Sequence, residues 1–169
     1  MNENQASKER HIKTVQPITY RIEYSDFERR VKQYLENMYQ TEFHEQSLPV
    51  GFNKNHKFDL VSEDKQIVAE CKSYTWTKSN NFPSAKVSTA IEALFYLSRI
   101  NVKKKIVIFQ DHRNNRGESL VEIFTRRYDG IIDDVEVWAY NVKDTVKNDR
   151  VTIIRPPKEN WYKTFSRII

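Results

Sequence analysis

Two carboxylates and a lysine in this chain are spaced to do metal-assisted chemistry. The run Lys57-Phe58-Asp59-Leu60-Val61-Ser62 is followed by a polar turn and then by Gln66-Ile67-Val68-Ala69-Glu70-Cys71-Lys72. Ser62-Glu63-Asp64-Lys65 has turn composition, so the two runs predict a β-hairpin. Counting outward from Asp64-Lys65 sets Asp59 opposite Glu70, and a four-residue loop keeps that register. Side chains alternate along a strand, so the expectation puts Lys57, Asp59, Val61, Val68, Glu70 and Lys72 on one face. Phe58, Leu60, Ala69 and Cys71 are expected on the other. Directly opposed residues have Cβ atoms roughly 5 Å apart, where like charges repel. A divalent cation between the two carboxylates would remove that repulsion, and Lys72 would point at the same spot. A second Glu-x-Lys, Glu63 to Lys65, lies in the turn and is expected to be solvated surface.

Asp59, Glu70-Cys71-Lys72 and the upstream Phe27-Glu28-Arg29-Arg30-Val31-Lys32 together resemble the PD-(D/E)XK nuclease superfamily, which includes restriction endonucleases and archaeal Holliday junction resolvases. Phe58 stands where many members carry proline. The resemblance is good over residues 24–110 and thins beyond. It implies that Asp59 and Glu70 bind metal, joined by the backbone carbonyl of Cys71. It makes Lys72 the residue that positions or activates the attacking water, and Glu28 an accessory carboxylate. The cofactor implied is Mg²⁺, with Mn²⁺ able to substitute. The activity implied is hydrolysis of DNA phosphodiester bonds by a restriction-type endonuclease. The alternatives are a junction resolvase or repair nuclease, or an inactive nucleic-acid-binding module of the same fold. Members commonly act as homodimers. Glu28 has a rival role in a capping box with Ser25, or in a pair with Lys32.

The elements that must position these residues can be read from periodicity. Ser25 or Asp26 is expected to cap a helix to about Tyr39, with Phe27, Val31, Tyr34, Leu35 and Met38 on one face. A short strand is expected over 45–51, ahead of the hairpin. Pro83 suits the first turn of a helix reaching about Ile100, with Val87, Ile91, Leu94, Phe95 and Ser98 at helical spacing. Ile106-Val107-Ile108-Phe109 reads as a buried central strand. A helix over 118–128 should stop at Asp129-Gly130, and strands are expected over 135–140 and 151–154. The expected fold is α/β, a restriction-endonuclease-like core in which a mixed β-sheet is flanked by helices in the order αβββαβ. Residues 1–16 are expected to form a flexible tail, and 17–169 one nuclease-like domain.

The chain has 169 residues, a net charge of +5 and 30% charged residues. A basic balance suits a polyanion, duplex or branched DNA, through counterion release. Candidate DNA contacts follow the catalytic lysine directly: Trp76, Lys78, Asn80, Asn81, Ser84 and Lys86. Arg113 and Arg116, just past the central strand, are further candidates. His56 beside the hairpin reads as structural. Cys71 is the only cysteine, which excludes an internal disulfide and a multi-cysteine zinc site, and its position predicts a buried apolar role. No glycine-rich phosphate loop is present, so no nucleotide cofactor is expected. With no apolar run in residues 1–16 and no long apolar stretch elsewhere, neither a signal peptide nor a membrane span is expected, and the expected location is cytoplasmic.

Overall fold

A computed structural model describes residues 22–157, and the expected tail at 1–16 lies outside them. The elements run α1 (Tyr24–Tyr39), β1 (Phe43–Gly51), β2 (Lys54–Ser62), β3 (Ile67–Lys72), α2 (Ser84–Ser98), β4 (Lys104–Gln110), α3 (Leu120–Ile132), β5 (Glu136–Asn141) and β6 (Arg150–Arg155), with a 3₁₀ turn at Val146–Asn148 before β6. The six strands make one mixed sheet in sequential order. β3, β4 and β5 run parallel, and β1, β2 and β6 are antiparallel to their neighbours. Among the described residues no helix is long and apolar enough to cross a membrane.

The sheet has a core on each face. Phe27, Val31 and Leu35 of α1 pack with Leu60, Ala69, Cys71, Ile106, Ile108, Trp138 and Tyr140. On the other face α2 and α3 cover Val61, Val68, Val107, Phe109, Val137 and Ala139. β4 therefore alternates between two buried faces, which is why it reads as an unbroken apolar run. Burying the ring of Phe27 completely is worth about 2 kcal/mol or more.

Several local expectations are corrected. Neither Ser25 nor Asp26 caps α1. Glu23 holds the N-cap position without a side-chain bond, and its carbonyl accepts from Phe27 N–H at 3.0 Å. The Asp26 carboxylate is instead taken by Arg29 and Arg30. Met38 is exposed, because the stripe of α1 ends at Leu35. On α2 the buried face is Val87, Ala90, Ala93, Leu94 and Leu97. Phe95 and Ser98 face solvent instead, since small alanines let the helix lie close on the sheet. α3 runs through Gly130 to Ile132, with Asp133 as its C-cap. Gly costs a helix interior only about 1 kcal/mol, and fully buried Ile132 outweighs it.

The hairpin has the expected register, with Leu60 opposite Ala69 and Val61 opposite Val68. Its faces differ from simple alternation. The β1–β2 pairing shifts between His44 and Gln46, opposite Val61 and Phe58, so β2 carries one extra residue at Asp59-Leu60. This bulge sends Phe58 into the same core as Val61, while Leu60 joins the opposite one. Bulges re-aim side chains, and here the residue re-aimed is Asp59.

Candidate active site

At the bulge the backbones of β2 and β3 stop pairing, and Asp59 fills the gap with its side chain. Asp59 Oδ2 accepts from Cys71 N–H at 2.7 Å. Glu70, on β3 at the level of Asp59, is 4% exposed. One of its oxygens accepts from Lys72 Nζ at 2.7 Å, and the other lies 3.3 Å from His56 Nε2. Asp59, bonded to the backbone of the residue after Glu70, lies close enough for its charge to act on the Glu70 carboxyl. From α1, Glu28 and Tyr24 both come close enough to Asp59 for its charge to raise their pKa values. Asp59, Glu70 and Lys72 thus lie near one another on β2 and β3, and Glu28 approaches Asp59 from α1.

Electrostatics mark the cluster as short of positive charge. Burial pushes the Glu70 carboxyl from its ordinary 4.5 up to about 7; Lys72 opposes the rise and Asp59 adds to it. Burial and the Asp59 charge raise Glu28 as well. Burial pulls the Lys72 ammonium down, but the Glu70 carboxylate outweighs it and the net direction is up. A lysine held charged in this way favours donation to a water or phosphate over proton abstraction. The Tyr24 hydroxyl is driven well above its ordinary range, first by burial and then by Asp59, so it stays a donor.

Of the rival roles for Glu28, the capping box finds no counterpart, since α1 begins before Ser25; the Lys32 charge does act on Glu28, while Lys32 Nζ pairs with Glu36 at 3.7 Å. Glu63 in the turn is exposed, as expected. Cys71 is a buried free thiol, its pKa raised by desolvation.

Tyr24 and His56 escaped the sequence reading. Tyr24 lies one helical turn before Glu28 and shares its face, a signal hidden by starting the helix too late. His56 reaches Glu70 only because the bulge changes the parity of β2. Its ring stacks on Tyr96 at 3.8 Å and meets Phe58 edge-on at 4.7 Å. Burial lowers its pKa, so a neutral ring faces Glu70.

The predicted DNA contacts divide into two groups. Trp76, Lys78, Ser84 and Lys86 line a hollow of about 420 Å³ at the start of α2, and both lysines are exposed. Asn80 and Asn81 instead shape the loop: Asn81 N–H donates to Thr77 Oγ1 at 2.9 Å and Asn80 adopts a φ of 61°. Trp76 Nε1 donates to the His112 carbonyl at 3.1 Å, docking this loop on the one after β4. Arg113 is engaged within the fold, by the Gly117 carbonyl at 3.0 Å and by Asp111 and Glu122 at 3.4 Å each. Arg116 is exposed.

The donors suit a hard cation. Two neighbouring carboxylates, one pushed up in pKa partly by the other, offer the oxygen ligands such ions take. Among the described residues no group of three or more His, Cys, Asp or Glu forms a ready metal cage. Mg²⁺ keeps several waters and borrows substrate oxygens, so two carboxylates are enough to hold it. No protein family, curated protein or solved structure matches this chain.

Proposed function

We propose that this protein is a metal-dependent nuclease of the PD-(D/E)XK superfamily that hydrolyses DNA phosphodiester bonds. The observation that carries the reading is the buried Glu70 carboxylate bonded to the Lys72 ammonium at the end of β3, with Asp59 held beside it by the Cys71 N–H. The element order helix, three strands, helix, strand supports it, as does the chain's charge of +5. In this reading Asp59 and Glu70 hold Mg²⁺ or Mn²⁺, with the Cys71 carbonyl as a further ligand. An ion held there would supply Lewis acidity, making a bound water more acidic and offsetting negative charge at the phosphate.

The chain's own residues do the rest. Lys72, fixed by its bond to Glu70, donates to the attacking water and the attacked phosphate. Tyr24 holds Asp59 in orientation. Glu28, from the opposite face of the sheet, helps to hold a second ion or a water. Lys78 and Lys86 contact backbone phosphates. A restriction-type endonuclease acting as a cytoplasmic homodimer is the first form of this reading, with a junction resolvase or repair nuclease next.

The test is cleavage of plasmid, single-stranded, branched and RNA substrates with and without divalent metal. Metal-dependent cutting of DNA is the expected result. Metal-dependent binding of DNA with no cutting of any substrate would leave an inactive module of the same fold.

A further inference from the structure

The hairpin joining β1 and β2 turns on Phe52 and Asn53, with Gly51 paired to Lys54 and Asn53 at a φ of 52°. Phe52 is 97% exposed. Its ring buries nothing on folding, so the hydrophobic effect gives the fold no reason to keep it. A polar residue would serve the turn equally well.

The surroundings of the ring indicate what it meets. Gln46 to Phe58 contains no aspartate or glutamate. Asn53, Lys54 and Asn55 are all exposed beside Phe52. β3 pairs with β2 only at Leu60 and Val61, so Lys54–Phe58 pair with β1 alone, as a two-stranded ribbon. Ribbons of this width fit a DNA groove. The ribbon is also the direct continuation of the candidate active site, because β2 carries both Lys54 and Asp59. From Phe52 to Asp59 the chain can span at most about 25 Å, which is about seven nucleotides along one strand.

We infer that Phe52 is a base-stacking wedge that engages DNA at an unstacked or unpaired step within about seven nucleotides of the scissile phosphate. This rests on the nuclease reading and deepens it by naming the substrate class. Unstacking a base step is costly in regular duplex and nearly free at a branch point or mismatch. The wedge therefore selects branched or mismatched DNA over continuous duplex. Lys54 supplies the adjoining phosphate contact, and Asn53 and Asn55 offer donors to base edges or sugars.

The test uses the full chain in Ca²⁺ and DNA with 2-aminopurine placed stepwise around a branch point. Wild-type protein should raise the fluorescence at one step and bind branched DNA more tightly than linear duplex. Phe52→Ala should abolish the rise and weaken branched-DNA binding ~5- to 150-fold, the range seen for losing one stacked base. Phe52→Trp should retain both. The ring is exposed, so folding is not at stake in either variant.

If wild-type protein binds DNA but Phe52→Ala matches it in affinity and fluorescence, the wedge is refuted and the nuclease reading stands. Absence of any nucleic-acid binding by wild-type protein refutes both. If Phe52→Ala instead turns a dimer into a monomer in sedimentation, the tip is a contact between copies and the inference fails.

Discussion

Glu70→Gln should flatten the pH dependence of stability that wild-type protein shows without metal. In the folded chain the Glu70 carboxyl titrates near 7, against an ordinary 4.5. A group whose pKa is raised by folding stabilises fully below its unfolded value, and that contribution is lost as pH climbs through the folded one. The loss falls between pH 4.5 and about 7. At about 1.4 kcal/mol per pH unit, the difference amounts to about 3 kcal/mol. Glu70 is 4% exposed, so solvent screens little of it. With a urea m-value of about 2 kcal/mol per molar, the wild-type midpoint should fall by about 1.5 M relative to Glu70→Gln across that window. Glutamine keeps an acceptor for Lys72, so the comparison isolates the proton. Urea unfolding in chelator at both ends of the window measures it. Parallel movement of the two midpoints would show that Glu70 is ionised throughout and that its carboxylate is already neutralised by Lys72.

Metal should restore what ionisation removes. Mg²⁺ should raise the melting temperature of wild-type protein more strongly as pH rises through about 7, because the ligand must be deprotonated. Ca²⁺ should support DNA binding with little cutting; efficient cutting in Ca²⁺ would contradict the assigned ligands. Asp59→Asn should leave the metal-free protein as stable as wild type or more so. The amide oxygen still accepts from Cys71 N–H, while half of the carboxylate repulsion is gone. Asp59→Ala should instead cost about 1–3 kcal/mol for the orphaned N–H, and both variants should lose metal stabilisation and cleavage. Equal denaturant stability of the two would remove the backbone role of Asp59. DNA affinity should fall steeply with salt, and Lys78→Ala or Lys86→Ala should each flatten the log–log slope by about one unit. Arg113→Ala should act mainly on stability, since the fold already uses that guanidinium; a selective drop in salt slope would reverse this assignment.

The parts of the fold set by local pattern were legible in the sequence. The period-2 runs around a polar turn gave the hairpin and its register. The apolar run 106–109 gave the central strand, and element order gave a mixed sheet with helices. Hairpin register alone set Asp59 at the level of Glu70 and Lys72, whereas Glu28 entered only through the family resemblance. Long-range effects were not legible. The bulge at Asp59-Leu60 arises from how β1 lies against β2, and no composition signal marks it; it hid His56 and reversed the face of Phe58. Two of the five buried positions of α2, Ala90 and Ala93, are alanine, which a search for large apolar residues passes over. Gly130 inside α3 is tolerated because Ile132 is buried, a tertiary gain that a stop signal cannot anticipate.

The most direct test of the account is nicking of supercoiled plasmid by purified wild-type, Lys72→Ala and Glu63→Ala proteins, each with Mg²⁺ and with chelator. Lys72 and Glu63 occupy the two Glu-x-Lys tripeptides of the chain, and only the first lies beside the paired carboxylates. The account predicts nicking by wild-type and Glu63→Ala proteins in Mg²⁺ and none in chelator. Lys72→Ala should be at least ~100-fold slower while still binding DNA, compared at a temperature where circular dichroism shows both proteins folded. Cleavage by Lys72→Ala at the wild-type rate, or nicking that persists undiminished in chelator, would contradict it.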